Sequence, residues 1–360
     1  MSKVEHGANL FELASKYGFN IDEIMDFSSN INPFGASPKA LSEISKNPNL
    51  VSIYPDPSYT ELKQAISTYT HAAEDNILLG SGATGLISGF IKYVHPQNSM
   101  ILSPAYSEYK RELTKINSNI FELFLSESNE FKPDITSIID YANSNKCDLI
   151  VICNPNNPTG SILTSEEIKQ ILRNTDAYIL VDETYIEFTN QSIYSSSVLV
   201  DEFSKLFVIR GTSKFFSTPG IRLGYALSSD SNIKSYLQSD MNLWRINIFA
   251  DRMGQLMFLD EKYQAETFEL IEAERSFIFN ELSKINQLKV YPSKGNFILS
   301  KILNPKLTAY ELYQALLPYK IIIRNCSNFP GLDDSYFRVC VLKPEENKLL
   351  IEKLNDIFSK

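Results

Sequence analysis

The chain has 360 residues, of which 43% are hydrophobic and 21% charged, an ordinary balance for a soluble globular protein with length for two or three domains. A formal net charge of -9 without clustered Lys and Arg argues against a nucleic-acid partner. No apolar run approaches a membrane span, the opening MSKVEHGANLFELASKYG lacks the apolar core of a signal peptide, and Cys147, Cys153, Cys326 and Cys340 form no CxxC. A cytoplasmic protein with reduced thiols, no metal and no membrane partner is therefore expected.

Residues Ala8 to Tyr17 place Leu10, Leu13, Ala14 and Tyr17 on one face, predicting a short helix that Gly18 stops. Asp26 to Gly35, DFSSNINPFG, reads as a loop. Its Asn30 and Asn32 either face a ligand or serve their own turns. Pro38 to Ser45 predicts a helix. Pro55 and Pro57 hold Tyr54 on an extended segment, and Ser58 with Glu61 predicts a capping box opening the next helix.

Asn76 to Val94, NILLGSGATGLISGFIKYV, predicts a strand, a glycine turn and a helix. Gly80, Gly82 and Gly85 spell the GxGxxG of a dinucleotide site, but the next strand closes in Ser103-Pro104 instead of the acidic residue that such a site wants. What transfers is the physics of backbone N–H groups at a helix start, so Ser81, Gly82, Ala83 and Thr84 are candidates for holding a phosphate. Tyr106, just past that strand, either stacks on a flat ring or packs in the core.

Leu149 to Cys153 predicts a buried strand, and NPNNPTG after it a rigid loop presenting Asn157. A helix is expected from Thr164 or Ser165. Tyr178 to Val181 is another buried strand, ending in Asp182, with Tyr185 three residues on. A carboxylate there is either a helix cap or the partner of a buried cation.

Leu206 to Leu227, LFVIRGTSKFFSTPGIRLGYAL, organises the chain. A strand runs into Thr212, Ser213 and Lys214, with Arg222 eight residues later. A lysine held in a desolvated place has a lowered pKa and can form an imine with a carbonyl. Hydroxyls and a guanidinium beside it suit a phosphate. Pyridoxal 5′-phosphate needs both features; the plainer alternative is a surface lysine on a turn. Strands alternating with helices over 76–227 predict an α/β fold with a largely parallel sheet, whose carboxyl ends would carry Gly82, Tyr106, Asn157, Asp182 and Lys214. Beyond Asp240, a long helical stretch over 250–286, three strand-like runs, a helix at LTAYELYQALLPY and a final helix from about Glu345 predict a smaller α+β domain. Arg324 and Arg338 there suit carboxylate or phosphate, or else surface ion pairs.

Loop NPNNPTG, then DETY, then SKxxxxxGxR resembles the fold-type I pyridoxal-phosphate enzymes of the histidinol-phosphate aminotransferase group, over nearly the whole chain. The resemblance implies an N-terminal arm (1–45), a large cofactor domain (46–245) and a small domain (246–360). It implies that Lys214 carries the cofactor, Asp182 pairs with the ring nitrogen, Asn157 and Tyr185 hold the phenolic oxygen, and Tyr106 stacks on the ring. Gly82, Ala83, Ser213 and Arg222 would hold the phosphate, joined by Tyr54 from the other subunit of a homodimer, and Arg338 the substrate carboxylate. The two ends of the chain look most like threonine-phosphate decarboxylases of cobalamin biosynthesis. That implies L-threonine O-3-phosphate as substrate, with His6, Asn32, Gly35 and Arg324 as further binding candidates. The alternatives are a histidinol-phosphate type aminotransferase and a non-catalytic sensor. One position departs from the group: Gly211 stands where a phosphate-binding hydroxyl is usual, so Thr212 either substitutes or the phosphate cup lacks one donor.

Overall fold

The computed structural model describes residues 9–240 and 243–359, which leaves His6 outside the described residues. Its strands, among the described residues, are β1 (Met25–Asp26), β2 (Ile77–Gly80), β3 (Asn98–Ser103), β4 (Asn119–Phe124), β5 (Leu149–Cys153), β6 (Tyr178–Asp182), β7 (Leu206–Gly211), β8 (Gly224–Leu227), β9 (Leu288–Val290), β10 (Phe297–Ile302), β11 (Ile321–Ile322), β12 (Arg324–Asn325) and β13 (Tyr336–Cys340).

Seven of them form one sheet in the order β2-β8-β7-β6-β5-β3-β4. Only β8 runs against its neighbours; the other six point the same way, as the α/β alternation predicts. Every residue of β5 and β7 is buried, which is why both read as unbroken apolar runs: helices cover the two faces, so no polar alternation survives. Val208 of β7 packs into one apolar cluster and Ile209 into the other, so the pleat divides the core between the faces. Arg210 is the exception, a guanidinium inside the core. Glu183 at 2.9 Å, Gln191 at 2.9 Å and Ser195 at 2.7 Å share it, which makes its burial tolerable.

Four strands, β12-β13-β10-β9, form a second, antiparallel sheet, with β13 wholly buried. β1 pairs with β11, so the segment leading into the loop at 27–32 is tied to the C-terminal part of the chain. At the seam between the two sheets Glu127 accepts from Lys289 at 3.0 Å, Lys301 at 2.8 Å and the Tyr291 hydroxyl at 2.8 Å.

Helix starts follow the sequence where a capping side chain has no rival. Asn9 caps Leu10–Tyr17 and Gly18 ends it in the left-handed region. Thr164 and Glu167 form a reciprocal capping box on Ser165–Asn174. The capping box expected at Ser58 does not form. Asp56 accepts from the backbone N–H of both Ser58 and Thr60 at 2.9 Å, and the helix starts at Thr60. The helical stretch expected over 250–286 is two helices, Ile248–Met257 and Glu261–Leu282, with the break at Asp260. There Ser37 donates to the Asp260 carboxylate at 2.6 Å and Lys39 pairs with it at 3.1 Å.

Candidate active site

Asp182 ends β6 beside Cys153 of β5 and Ile209 of β7. Its Oδ1 accepts from the Thr184 backbone N–H at 3.0 Å and from the Thr184 hydroxyl at 2.5 Å. Its Oδ2 accepts from the Tyr109 hydroxyl at 2.6 Å. Burial raises the carboxyl's pKa, against these three donors. Among the described residues no Lys or Arg neutralises it.

Three residues past β7, the Lys214 amine donates to the Ser29 carbonyl at 2.6 Å. Burial, and then the nearby positive charge of Arg338, push its pKa down to about 8, the direction that frees a lone pair for attack on a carbonyl. Arg338, on β13, donates through Nη1 to Asn157 Oδ1 and through Nη2 to the Ser28 carbonyl at 2.7 Å. Among the described residues its Nε is buried without a partner. Asn30 donates to the Tyr185 hydroxyl at 3.2 Å, which leaves that phenol's own proton to donate elsewhere. Burial keeps the Tyr185 phenol well above its ordinary pKa.

Arg222 adopts a left-handed backbone (φ 58°) and donates to the Pro219 carbonyl at 3.1 Å. Gly82 (φ 80°) makes room for it: a Cβ there would sit 2.5 Å from Arg222 Nη2. Gly224 is equally constrained, since a Cβ would meet the Ala83 backbone N at 2.6 Å. The start of helix Ala83–Val94, whose first N–H groups have no partner within the helix, is thus packed against a guanidinium.

These groups surround a cavity of about 300 Å³. Its walls include Ala83, Thr84, Tyr106, Asn157, Asp182, Tyr185, Ser213, Lys214, Arg222, Arg324 and Arg338, all named from the sequence. Arg324 lies over the Phe329 ring at 5.5 Å and donates to Asn328 at 2.9 Å.

Other expected residues are used differently. The Thr212 hydroxyl donates to the Leu223 carbonyl at 3.1 Å, so it does not replace the hydroxyl missing at Gly211. Asn32 is a buried clamp, not a cavity wall. Its Nδ2 donates to the Phe215 carbonyl at 2.8 Å and to the Tyr263 hydroxyl at 2.9 Å, and its Oδ1 accepts from the Phe34 N–H. The Gly35 carbonyl accepts from Tyr263 at 2.8 Å. Ser81 is exposed and lies off the cavity wall. Tyr54 is 74% exposed and stacks on Trp244 at 4.3 Å. The sequence does not single out Tyr109, Thr184, Phe329 or the Ser28 and Ser29 carbonyls, which also meet the site. Tyr109 had a faint signal, an aromatic three residues after Tyr106 on a helix; backbone carbonyls have none.

The donor set fits pyridoxal phosphate. A buried carboxylate lacks a cation, an amine of lowered pKa lies on the cavity wall, and Arg222 with Ser213 and a helix start make an anion cradle.

Residues 22–354 match the model of the family described as aminotransferase class I and II. The chain is 36% identical over 365 residues to the adenosylcobalamin biosynthesis bifunctional protein CobDQ of Leptospira interrogans, covering 99% of this chain but only 41% of that longer protein. It is 29% identical to the threonine-phosphate decarboxylase of Salmonella typhimurium, covering 98% of this chain and 96% of that one. The crystal structure of the histidinol-phosphate aminotransferase from Clostridium acetobutylicum is 32% identical and superposes with a TM-score of 0.86, covering 92% of this chain and 98% of that one.

Proposed function

The chain belongs to the class I and II aminotransferase family and is a pyridoxal-phosphate-dependent enzyme, and from that premise we propose that it decarboxylates L-threonine O-3-phosphate. The observation that carries the proposal is the presence of Arg324 and Arg338 around the same cavity as Lys214 and Asp182. Two planar guanidinium forks suit a small substrate with two anionic groups, a carboxylate and a phosphate. Histidinol phosphate has only one, so in its transamination the second fork would serve only the dicarboxylate 2-oxoglutarate. The ends of the chain favour the same choice through their likeness to threonine-phosphate decarboxylases.

In this reading Ser213, Arg222 and the N–H groups of Ala83 and Thr84 hold the cofactor phosphate. Asp182 faces the ring nitrogen, Asn157 and Tyr185 meet the phenolic oxygen, and Tyr106 covers the ring. Tyr54 adds its hydroxyl to the phosphate site of a second copy in a homodimer. The cofactor, when bound through Lys214, supplies an electron sink for the bond that breaks at the substrate α-carbon. Arg338 orients the α-carboxylate and Arg324 the phosphate. The carboxylate departs as CO2. Lys214 Nζ, freed from the cofactor when the substrate amine takes its place there, would deliver the proton that replaces the carboxylate, giving the aminopropanol phosphate. A second reading, transamination of histidinol phosphate with 2-oxoglutarate, uses the same residues and is favoured by the likeness to the Clostridium acetobutylicum enzyme.

Mass spectrometry after mixing the cofactor-loaded enzyme with L-threonine O-3-phosphate, with no keto acid present, tests the proposal. Loss of CO2 is the expected result. Unchanged substrate, together with turnover of histidinol phosphate once 2-oxoglutarate is added, would replace the proposal by the second reading.

A further inference from the structure

Tyr109 lies fully buried on helix Ser107–Lys115, with its ring edge-on to Tyr106 at 5.6 Å. Burying a phenol hydroxyl is costly unless it finds an acceptor. Its acceptor is Asp182 Oδ2, 2.6 Å away. Thr184 occupies Oδ1 with two donors, so Oδ2 keeps the larger free acceptor capacity, and Tyr109 fixes where that capacity points. Among the described residues, the other titratable groups acting on Asp182 give it no positive charge. They are the Cys153 thiol, pushed up to about 12, the Tyr106 phenol, pushed up to about 12, the Tyr185 phenol, raised further, and the Glu187 carboxyl, raised to about 7. A short hydrogen bond from Tyr109 is therefore one of the few interactions that stabilise Asp182 as an anion.

We infer that Tyr109 is a positioning residue: its hydroxyl orients and stabilises the Asp182 carboxylate, and so sets how firmly the ring nitrogen of the bound cofactor keeps its proton. This rests on the cofactor assignment made above. Without the hydroxyl, the carboxylate becomes more basic and draws the shared proton from the ring toward itself. A less positive ring withdraws less electron density from the lysine linkage, which then holds its own proton to higher pH. The same loss weakens the electron sink, so the chemical step slows while substrate binding is spared.

The test uses the cofactor-loaded enzyme and follows its visible absorption as a function of pH. Tyr109→Phe keeps the ring and its packing and removes only the oxygen. Its titration midpoint is expected to rise by about one pH unit, and kcat to fall about tenfold with KM little changed, the equivalent of one hydrogen bond to a charged group. Replacing Tyr109 by 3-fluorotyrosine, a more acidic and stronger donor, is expected to lower the midpoint. One fluorine hardly disturbs the packing, so this protein decides the question even if Tyr109→Phe folds poorly. Identical midpoints in the three proteins would overturn the inference while leaving the cofactor assignment standing. A wild-type protein with no visible band after reconstitution would overturn the assignment itself, and the inference with it.

Discussion

Lys214 shows how one enclosure prepares a reagent. With its pKa lowered from 10.5 to about 8, the amine of the cofactor-free protein becomes neutral at a pH well below that needed for an exposed lysine. The rate at which the cofactor-free enzyme takes up pyridoxal phosphate should therefore climb as pH passes 8 and level off above it, followed by stopped-flow absorbance. Arg338→Leu removes a positive neighbour and should move that rise to higher pH. Two neighbours in sequence give a contrast. The Thr212 hydroxyl serves the Leu223 carbonyl, whereas Ser213 lines the cavity. Thr212→Val should cost ~1 kcal/mol of stability in chemical denaturation and leave cofactor affinity unchanged, while Ser213→Ala should weaken cofactor binding several-fold, measured by fluorescence titration. Gly82→Ala should be worse than either for cofactor binding. It forces an L side chain to a φ of 80° and drives Arg222 from the cradle.

At the level of elements, what could be read from the sequence was whatever depends on local chemistry. The runs Leu149–Cys153, 178–181 and 206–209 announced strands because burial on both faces requires unbroken apolar residues. The residues at their carboxyl ends could be read for the same reason. Illegible were features decided by partners distant in sequence. That β8 runs antiparallel follows from the return of the chain through Arg222, which no periodicity encodes. The tie between Tyr109 and Asp182 spans 73 positions. Asn32 looked equally suited to ligand or turn, and only Tyr263, Thr267 and Phe215 decide for the interior. Ser58 misled because Asp56, two residues earlier, takes the N–H groups a capping serine would serve. Asp56→Ala should accordingly destabilise helix Thr60–Thr70, with a cost of ~1 kcal/mol in thermal or urea unfolding, whereas Ser58→Ala should be nearly silent.

For the whole molecule, the buried cluster around Arg210 makes stability depend on pH in an unusual sense. Burial raises the Glu187 carboxyl from 4.5 to about 7, and among the described residues its Oε2 has no hydrogen-bond partner. Between those values the folded chain binds more protons than the unfolded one, so this group's contribution declines as pH rises from 4.5 through 7 and is constant outside that window. The loss amounts to roughly 3 kcal/mol, and Glu187→Gln should abolish it in urea unfolding measured across the window. The placement of the cavity has a different consequence. Lys214, Asp182 and Arg222 belong to the seven-stranded sheet or its loops, whereas Arg338 belongs to the four-stranded one, and Glu127 with Lys289 and Lys301 fastens the two. In the proposed reading, the reacting bond and the grip on the substrate thus sit on opposite jaws of a caliper. Replacements along that seam, which touch neither substrate nor cofactor, would then be a route to longer or shorter substrates with the chemistry left intact.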